Sequence, residues 1–233
     1  DSREKAKRLI MAGQVTINAQ PARKPSDRVQ ASDALALLAR EKYVSRGGHK
    51  LEHALRHFQL SVEHQTAIDL GASTGGFTDC LLQHGAAKVY AVDVGHGQLA
   101  WTLRQDPRVI VMDRTNARAL TPASFPPPFA SVDLVVIDCS FISLRKIFPA
   151  AIALLRPAGN ILALIKPQFE AGKAAADKGE GVITDPAIHA QVLDDLRGFV
   201  AAHPPLHWQG VTESPLRGPA GNKEFLVLLE KIV

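Results

Sequence analysis

The sequence predicts an α/β fold, built on a doubly wound, mainly parallel sheet of seven strands with a small segment before it. From residue 66 onwards, apolar runs typical of buried strands alternate with helical patterns, the order that produces parallel strands joined by helices. A glycine-rich turn over residues 71–76 follows the first run, and an acidic residue ends the next. The 233 residues, 46% of them hydrophobic, suffice for one full domain and a small appendage.

The first part of the chain predicts a small basic unit. A helix is expected over residues 3–12, with Ser2 as its N-cap and Gly13 at its end, followed by a short strand over residues 15–18. Residues 1–28 hold seven basic and three acidic residues, so their excess of four equals the net charge of the whole chain. This asymmetry favours contact with nucleic acid, and a solvated charged helix face is the alternative explanation.

The second part predicts the alternating elements in order. A helix with one apolar face comes first, and this face is formed by Leu51, Ala54, Leu55 and Phe58. Strands are expected at 66–70, 88–93, 108–112, 132–138, 159–165, 206–213 and 224–230. Helices are expected at about 76–84, 97–104, 144–155 and 185–202, with a loop over 170–181. Ligands of such sheets bind outside the carboxyl ends of the strands.

The glycine turn and two acids predict a site for a nucleotide-type cofactor. The glycines let the backbone approach a bound ligand, and Asp93, at the end of the second strand, can accept hydrogen bonds from a ribose diol. Asp69, before the turn, suits the ammonium of S-adenosylmethionine, whereas Ser73 breaks the dinucleotide fingerprint of an oxidoreductase. We therefore expect S-adenosylmethionine to be bound by Asp69, Gly71, Ser73, Thr74, Gly75, Gly76, Phe77, Asp93, Asp113 and Asp138.

Polar residues also mark the edge where the strands end. Asp138 and Lys166 end two very apolar strands that are expected to be neighbours, so both should border the cofactor. Lys50 lies in the helix before the sheet, and Glu224 begins the last strand. A single charged residue at a strand end is usually structural or solvated, but two on adjacent buried strands favour an active site.

A series of motifs resembles one known family. The motifs are Ser45-Arg46-Gly47-Gly48-x-Lys50, Asp69-Leu70-Gly71-Ala72-x-x-Gly75-Gly76, Asp113-Arg114-Thr115-Asn116-x-Arg118, Asp138-x-Ser140-Phe141-Ile142-Ser143, Lys166-Pro167-Gln168-Phe169-Glu170 and Gly221-Asn222-x-Glu224-Phe225. The glycine turn resembles that of FtsJ-type 2′-O-ribose methyltransferases, and the whole set is similar to the TlyA (haemolysin A-like) rRNA methyltransferases.

The resemblance implies a function and a division of the chain. It implies a Rossmann-like enzyme that uses S-adenosylmethionine to methylate ribose 2′-oxygens of ribosomal RNA, at a cytidine, through an FtsJ-like domain over residues 44–233. Residues 1–43 then form a linker and a partial RNA-binding domain of ribosomal-protein type that lacks its first helix. The implied partners are ribosomal RNA and ribosomal subunits.

The resemblance also assigns roles to residues. The family's catalytic lysine–aspartate–lysine–glutamate tetrad corresponds to Lys50, Asp138, Lys166 and Glu224. We assign the base to Lys166, because a 2′-hydroxyl is a weak nucleophile that benefits from losing its proton to a positioned group. RNA contacts are expected from Arg3, Lys7, Arg8, Arg23 and Lys24, with Arg46 nearer the catalytic edge.

Two other functions remain as alternatives. A ribosome-associated factor could hold cofactor and RNA without transferring a methyl group. The stretch His49-x-x-Glu52-His53 matches the H-x-x-E-H pattern of zinc peptidases, a short motif that recurs by chance and lacks a third ligand here, so no metal is expected. The sequence has two cysteines, no visible signal peptide and no apolar run of the ~18 residues that span a bilayer. We therefore expect a cytoplasmic protein that does not bind a membrane and needs no obligate protein partner.

Overall fold

The computed structural model describes residues 3–11, 13–37, 41–172, 181–203 and 205–232. It contains two compact units, Asp1–Lys42 and Tyr43–Val233. Each unit has its own sheet.

The N-terminal unit contains one helix and three short antiparallel strands. They are α1 (Arg3–Met11), β1 (Val15–Ile17), β2 (Gln20–Pro21) and β3 (Leu35–Leu37), in the sheet order β2-β1-β3. Asn18 and Ala19 have positive φ and form the two-residue turn between β1 and β2, so β1 ends one residue before the predicted strand does. The Asn18 side chain also binds the chain before β3, because its carbonyl accepts a hydrogen bond from Ala34 N at 2.9 Å.

The second unit alternates strands and helices. Its elements are α2 (Gly47–His57), β4 (Thr66–Leu70), α3 (Gly76–Gln83), β5 (Lys88–Val92), α4 (Trp101–Arg104), β6 (Val109–Met112), β7 (Val132–Ile137), α5 (Phe148–Leu154), β8 (Leu155–Ile165), α6 (Pro167–Glu170), α7 (Pro186–Ala201), β9 (Leu206–Glu213) and β10 (Phe225–Lys231). The sheet order is β6-β5-β4-β7-β8-β10-β9. The strands from β6 to β8 are parallel, and β10 is antiparallel to both of its neighbours. The predicted doubly wound, mainly parallel sheet of seven strands is confirmed.

The strand order places the ligand-binding edge. The chain leaves β4 on one side toward β5 and returns to its other side with β7, so the order reverses between β4 and β7. Crevices at such reversal points, outside the carboxyl ends of the strands, are where doubly wound sheets bind ligands. The glycine turn follows β4 and therefore lies at this point.

Two apolar layers cover the two faces of the sheet. In β7, Val135 and Ile137 pack on one face, with residues of α5 and α7, whereas Leu134 and Val136 pack on the other, with residues of α2 and α3. Successive strand residues point to opposite faces. Because both faces are covered, the central strands are continuous apolar runs rather than alternating ones, which made them recognisable in the sequence.

The differences from the predicted elements are local. Six of the seven predicted strands agree with the structure within one residue, and β8 begins four residues early. The predicted helix over 97–104 is reduced to α4, and a 3₁₀ turn replaces the start of the helix expected at 144. The helix α6 was not predicted, and residues 173–180 of the predicted loop lie outside the described residues. In the described part of the chain, no helix combines the length and apolar character needed to cross a membrane.

Candidate active site

The turn after β4 is shaped by contacts within the protein. Gly71 has a φ of +85°, and a Cβ there would lie 2.8 Å from the backbone oxygen of Asp138. A side chain would therefore force the ends of β4 and β7 apart. We ascribed the glycines to the approach of a ligand, and at Gly71 the close packing of the two strand ends is a further reason.

A cavity of about 280 Å³ at the carboxyl edge brings the four predicted catalytic residues together. Lys50 comes from α2, Asp138 follows β7, Lys166 follows β8 and Glu224 precedes β10. The same cavity is lined by five of the predicted cofactor-binding residues of the turn, which are Gly71, Ser73, Thr74, Gly76 and Phe77. Gly75 does not line it and instead faces Leu99 and Leu103.

The four charged side chains form two ion pairs. The Nζ atom of Lys166 lies 2.7 Å from Oδ1 of Asp138, and the Nζ atom of Lys50 lies 2.5 Å from Oε2 of Glu224. Lys166 also donates a hydrogen bond of 2.9 Å to the hydroxyl of Ser140. Both lysine side chains are 10% exposed, Glu224 is 1% exposed and Asp138 is 23% exposed. Each amine is therefore held in one orientation, with little access for water.

A second cavity, of about 550 Å³, continues along the same edge. It is lined by Asp93, whose two carboxylate oxygens accept hydrogen bonds from Ser73 N at 2.8 Å and Gly95 N at 2.7 Å. A carboxylate oxygen accepts more than one hydrogen bond, so Asp93 can also bind a pair of hydroxyl groups. Apolar side chains form other parts of the wall, including Val94 and Ile142.

The two cavities form one groove. Four residues line both of them, and these are Gly71, Ser73, Asp138 and Ser140. Lys166 contacts two of the four, Asp138 and Ser140. The larger cavity offers an acceptor for hydroxyl groups and an apolar wall, and the smaller one offers two oriented amines. Two ligands, one bound in each cavity, would meet beside Lys166.

Asp69 occupies a different place from the one predicted. It is fully buried and lines neither cavity, and its Oδ2 atom accepts hydrogen bonds from the Thr78 amide at 3.0 Å and the Thr78 hydroxyl at 2.7 Å. Burial, with the negative charges of Asp138 and Asp93, raises the pKa of Asp69 to about 7, against the opposing effect of the Thr78 hydrogen bonds. Within the described residues its Oδ1 atom has no hydrogen-bond partner. Asp69 thus anchors the first turn of α3 rather than facing the groove.

Asp113 also lies away from both cavities. It accepts hydrogen bonds from Arg104 at 2.9 Å, from the Gly97 amide at 3.1 Å and from His96 Nδ1 at 3.1 Å. Burial opposes its ionisation, but the hydrogen bonds from Gly97 and Arg104 outweigh burial and lower the pKa of Asp113. Asp113 therefore connects the loop after β5 to the end of β6, whereas Thr115 and Asn116, which follow it in the chain, line the larger cavity.

The comparison with known proteins agrees with this geometry. A model of the FtsJ-like methyltransferases matches residues 43–231, and a model of the S4 domain matches residues 1–35. The chain belongs to the FtsJ-like methyltransferase family. The family predicted from the motifs is thereby confirmed, and so is the prediction that the chain is an enzyme.

This FtsJ-like methyltransferase has relatives of similar length. It is 48% identical to the 16S/23S rRNA (cytidine-2′-O)-methyltransferase TlyA of Mycobacterium tuberculosis, over 98% of this chain and 84% of that protein. It is 40% identical to the protein named Hemolysin A of Brachyspira hyodysenteriae, over 97% of this chain and 92% of that protein. A solved structure from Streptococcus thermophilus, also named as a hemolysin, is 46% identical with a TM-score of 0.79, over 99% of this chain and 83% of that one.

The predicted RNA-binding residues of the FtsJ-like methyltransferase fall in both units. In the N-terminal unit the side chains of Arg3, Lys7, Arg23 and Lys24 are exposed, and the side chain of Arg8 lies outside the described residues. The amides of Arg23 and Lys24 both donate to Oδ2 of Asp27, at 2.8 and 3.1 Å, which fixes this turn. Arg46 belongs to the other unit and lines the smaller cavity.

Three residues of the FtsJ-like methyltransferase were not singled out from the sequence, and two of them, Ser140 and Arg217, line the groove. Ser140 belongs to one of the motifs and received no role of its own, although its place two residues after Asp138 puts it at the same strand end. Arg217 lines the smaller cavity from a loop rich in proline and glycine that carries no periodic signal. Glu170 accepts hydrogen bonds from the Ser143 hydroxyl at 2.6 Å and the Leu144 amide at 2.7 Å, and so fixes the loop after β7 against α6.

The histidines of the peptidase-like pattern have other neighbours. The ring of His49 packs edge-on against Tyr43 with the centroids 5.2 Å apart, and Nε2 of His53 lies 3.3 Å from the Thr212 hydroxyl. Among the residues that the structure describes, no three histidine, cysteine or acidic side chains come close enough to hold a metal ion.

Proposed function

We propose that this FtsJ-like methyltransferase transfers the methyl group of S-adenosylmethionine to the 2′-oxygen of a ribose in ribosomal RNA, at a cytidine. One observation carries the proposal: the two cavities of the groove share Asp138 and Ser140, and both residues contact Lys166. A donor in the larger cavity and an acceptor in the smaller one would react beside this amine. The name of the M. tuberculosis relative supports the acceptor class.

The residues of the larger cavity fit S-adenosylmethionine. Asp93 would hold the two ribose hydroxyls of the cofactor, since its carboxylate is fixed between Ser73 and Gly95. The apolar wall beside Ile142 suits an adenine ring, and the turn at Gly71 would lie against the amino acid part. When bound, S-adenosylmethionine supplies an electrophilic methyl group on a positively charged sulfur.

The residues of the smaller cavity would prepare the acceptor. After its ammonium has released a proton to solvent, the Nζ atom of Lys166 would take the proton of the 2′-hydroxyl while the methyl group passes from the sulfur to the 2′-oxygen, and the ammonium formed again would be stabilised by Asp138 at 2.7 Å and Ser140 at 2.9 Å. Lys50, held by Glu224, donates a hydrogen bond that orients the ribose. Positioning of this kind contributes ~7 kcal/mol or more to lowering a barrier, and a general base adds roughly 10²–10⁴-fold in rate.

RNA binding is proposed to involve the N-terminal unit. We propose that residues 1–43 are an RNA-binding module and linker and that residues 44–233 carry out the transfer. Support comes from the S4 domain match and from the exposed basic side chains of Arg3, Lys7, Arg23 and Lys24, to which the sequence adds Arg8. With ribosomal RNA as the acceptor, the enzyme would work on ribosomal subunits in the cytoplasm.

A transfer assay tests the proposal. The purified chain is incubated with tritium-labelled S-adenosylmethionine and ribosomal subunits that lack the modification, and the RNA is then hydrolysed with alkali. A 2′-O-methyl group blocks alkaline cleavage, so the label should appear in an alkali-resistant dinucleotide that contains cytidine. Label in a mononucleotide or in protein, or binding of both ligands without transfer, would contradict the proposal, and the last result would favour the non-catalytic alternative.

Variants of two lysines assign the chemistry. Lys166→Ala should reduce the transfer rate by at least about 10²-fold, because it removes the base, and should leave the affinity for S-adenosylmethionine within about twofold. Lys146→Ala is the matched control, since Lys146 is exposed and lines neither cavity. Near-normal transfer by Lys166→Ala would disprove the role of Lys166.

A further inference from the structure

The smaller cavity carries two cationic side chains beyond those of the tetrad. Lys50 and Lys166 are each paired with a carboxylate, whereas Arg46 and Arg217 line the same cavity. Among the described residues neither arginine has a carboxylate partner, and Arg217 makes a side-chain hydrogen bond only to the carbonyl of Gly221, at 3.3 Å. The cavity wall therefore has two positive charges that no carboxylate of the described residues neutralises.

Arg217 is held in place by the loop between β9 and β10. The loop is attached to the tetrad residue Glu224, since Ser214 N donates to the backbone oxygen of Glu224 at 2.9 Å. A Cβ at Gly218 would lie 2.5 Å from Oε1 of Glu224, so the backbone next to Arg217 rests directly on this buried carboxylate. The position of Arg217 is thereby coupled to that of Glu224.

Arg46 is held in place at the start of α2. It is the residue before the helix Gly47–His57, and Lys50 follows one turn later. Each arginine is therefore close in the chain to one tetrad residue, Arg46 to Lys50 and Arg217 to Glu224. The two arginines line the cavity from separate elements of the fold.

We propose that Arg46 and Arg217 bind the two phosphates on either side of the acceptor ribose, so that the smaller cavity recognises a ribose 3′,5′-bisphosphate unit. This inference rests on the proposed function for the identity of the acceptor. A ribose within an RNA chain carries one phosphate on each side, and two unneutralised guanidinium groups match these two charges. Guanidinium groups bind phosphate through paired hydrogen bonds, which fix orientation as well as charge. The reactive 2′-oxygen is on the carbon next to the one that carries the 3′-phosphate, so fixing both phosphates would direct it at Lys166.

Small ligands test this recognition without the rest of the RNA. The affinities of cytidine, cytidine 5′-monophosphate, cytidine 3′-monophosphate and cytidine 3′,5′-bisphosphate are measured by calorimetry on the full chain saturated with S-adenosylhomocysteine. We expect the bisphosphate to bind at least about tenfold more tightly than either monophosphate, and each monophosphate more tightly than cytidine. Equal affinities of the bisphosphate and cytidine would overturn the inference.

Variants assign each phosphate to an arginine. Arg217→Ala and Arg46→Ala should each weaken bisphosphate binding about tenfold, and each should affect only one of the two monophosphates. Two control variants each remove one positive charge near the site. Lys223→Ala removes it from the loop of Arg217, where Lys223 pairs with Glu213 at 3.2 Å. Arg56→Ala removes it from α2, where Arg56 pairs with Glu52 at 3.1 Å. These controls should change the affinity by less than about twofold.

The outcomes separate this inference from the proposed function. If the controls weaken bisphosphate binding as much as the arginine variants do, the effect is general electrostatics and the inference fails. If the wild-type chain methylates ribosomal RNA but shows no preference for the bisphosphate, the inference alone fails. Preference for the bisphosphate without methyl transfer would support the site and contradict the proposed function. Unchanged affinity for S-adenosylhomocysteine shows that each variant is folded.

Discussion

Replacing Glu224 by glutamine should destabilise the protein more than replacing Glu224 and Lys50 together. Glu224 is 1% exposed and Lys50 is 10% exposed, and their charged atoms lie 2.5 Å apart. Glu224→Gln leaves the Lys50 ammonium in this buried position without its counter-charge. Removing one partner of a buried ion pair typically costs about 3–5 kcal/mol, whereas replacing both partners by uncharged groups is often nearly neutral.

The double variant Lys50→Met with Glu224→Gln removes both charges and keeps most of the side-chain volume. We expect it to recover most of the lost free energy of unfolding, measured by urea denaturation. Methyl transfer stays abolished in both variants, because Lys50 is no longer held at the acceptor in the single variant and is absent from the double variant. Unfolding free energies that are equal in the single and the double variant would refute the reasoning, since they would show that the unpaired ammonium carries no cost. Arg56→Ala, which breaks an exposed pair on the same helix, should cost less than about 1 kcal/mol.

Two other predictions follow from single contacts. Ser140→Ala removes the 2.9 Å hydrogen bond to Lys166 and should lower kcat about tenfold with little change in the affinity for the cofactor. Single-turnover kinetics measures the rate and a binding titration measures the affinity. A loss of cofactor affinity as large as the loss of rate would contradict this prediction. Because the pKa of Asp69 is raised to about 7 by burial, the folded state binds more protons there than the unfolded state does, so this group makes stability fall as pH rises from about 4 to about 7. Asp69→Asn should remove up to about 4 kcal/mol of this decrease in the free energy of unfolding. If the free energy of unfolding of the variant depended on pH as it does in the wild type, the raised pKa of Asp69 would be disproved.

The sequence was sufficient to predict the sheet, because its central strands are apolar on both faces and are separated by clear helical patterns. The strand ends Asp138 and Lys166 could also be placed at one edge, since parallel strands end on the same side of a sheet. The pairing of Lys50 with Glu224 joins residues 174 positions apart, and only the resemblance to a family suggested it.

Residues whose role depends on their neighbours in space were assigned less well. The acid Asp69 precedes a ligand-type turn, but it points beneath the turn to Thr78, and strand periodicity does not give that direction. The sequence indicated a close approach of a ligand at Gly71, but it did not show that the backbone at Asp138 also excludes a side chain there. Arg217 lies in an irregular loop, so its position depends on how the loop rests on Glu224.

A crystal structure with S-adenosylhomocysteine and cytidine 3′,5′-bisphosphate tests the central claim most directly. The account predicts the adenosine in the cavity of Asp93, and the cytidine 2′-oxygen beside Asp138 within about 3 Å of the Lys166 amine, on the side facing the sulfur. A nucleoside bound outside the smaller cavity, or a 2′-oxygen directed away from Lys166 and the sulfur, would contradict it.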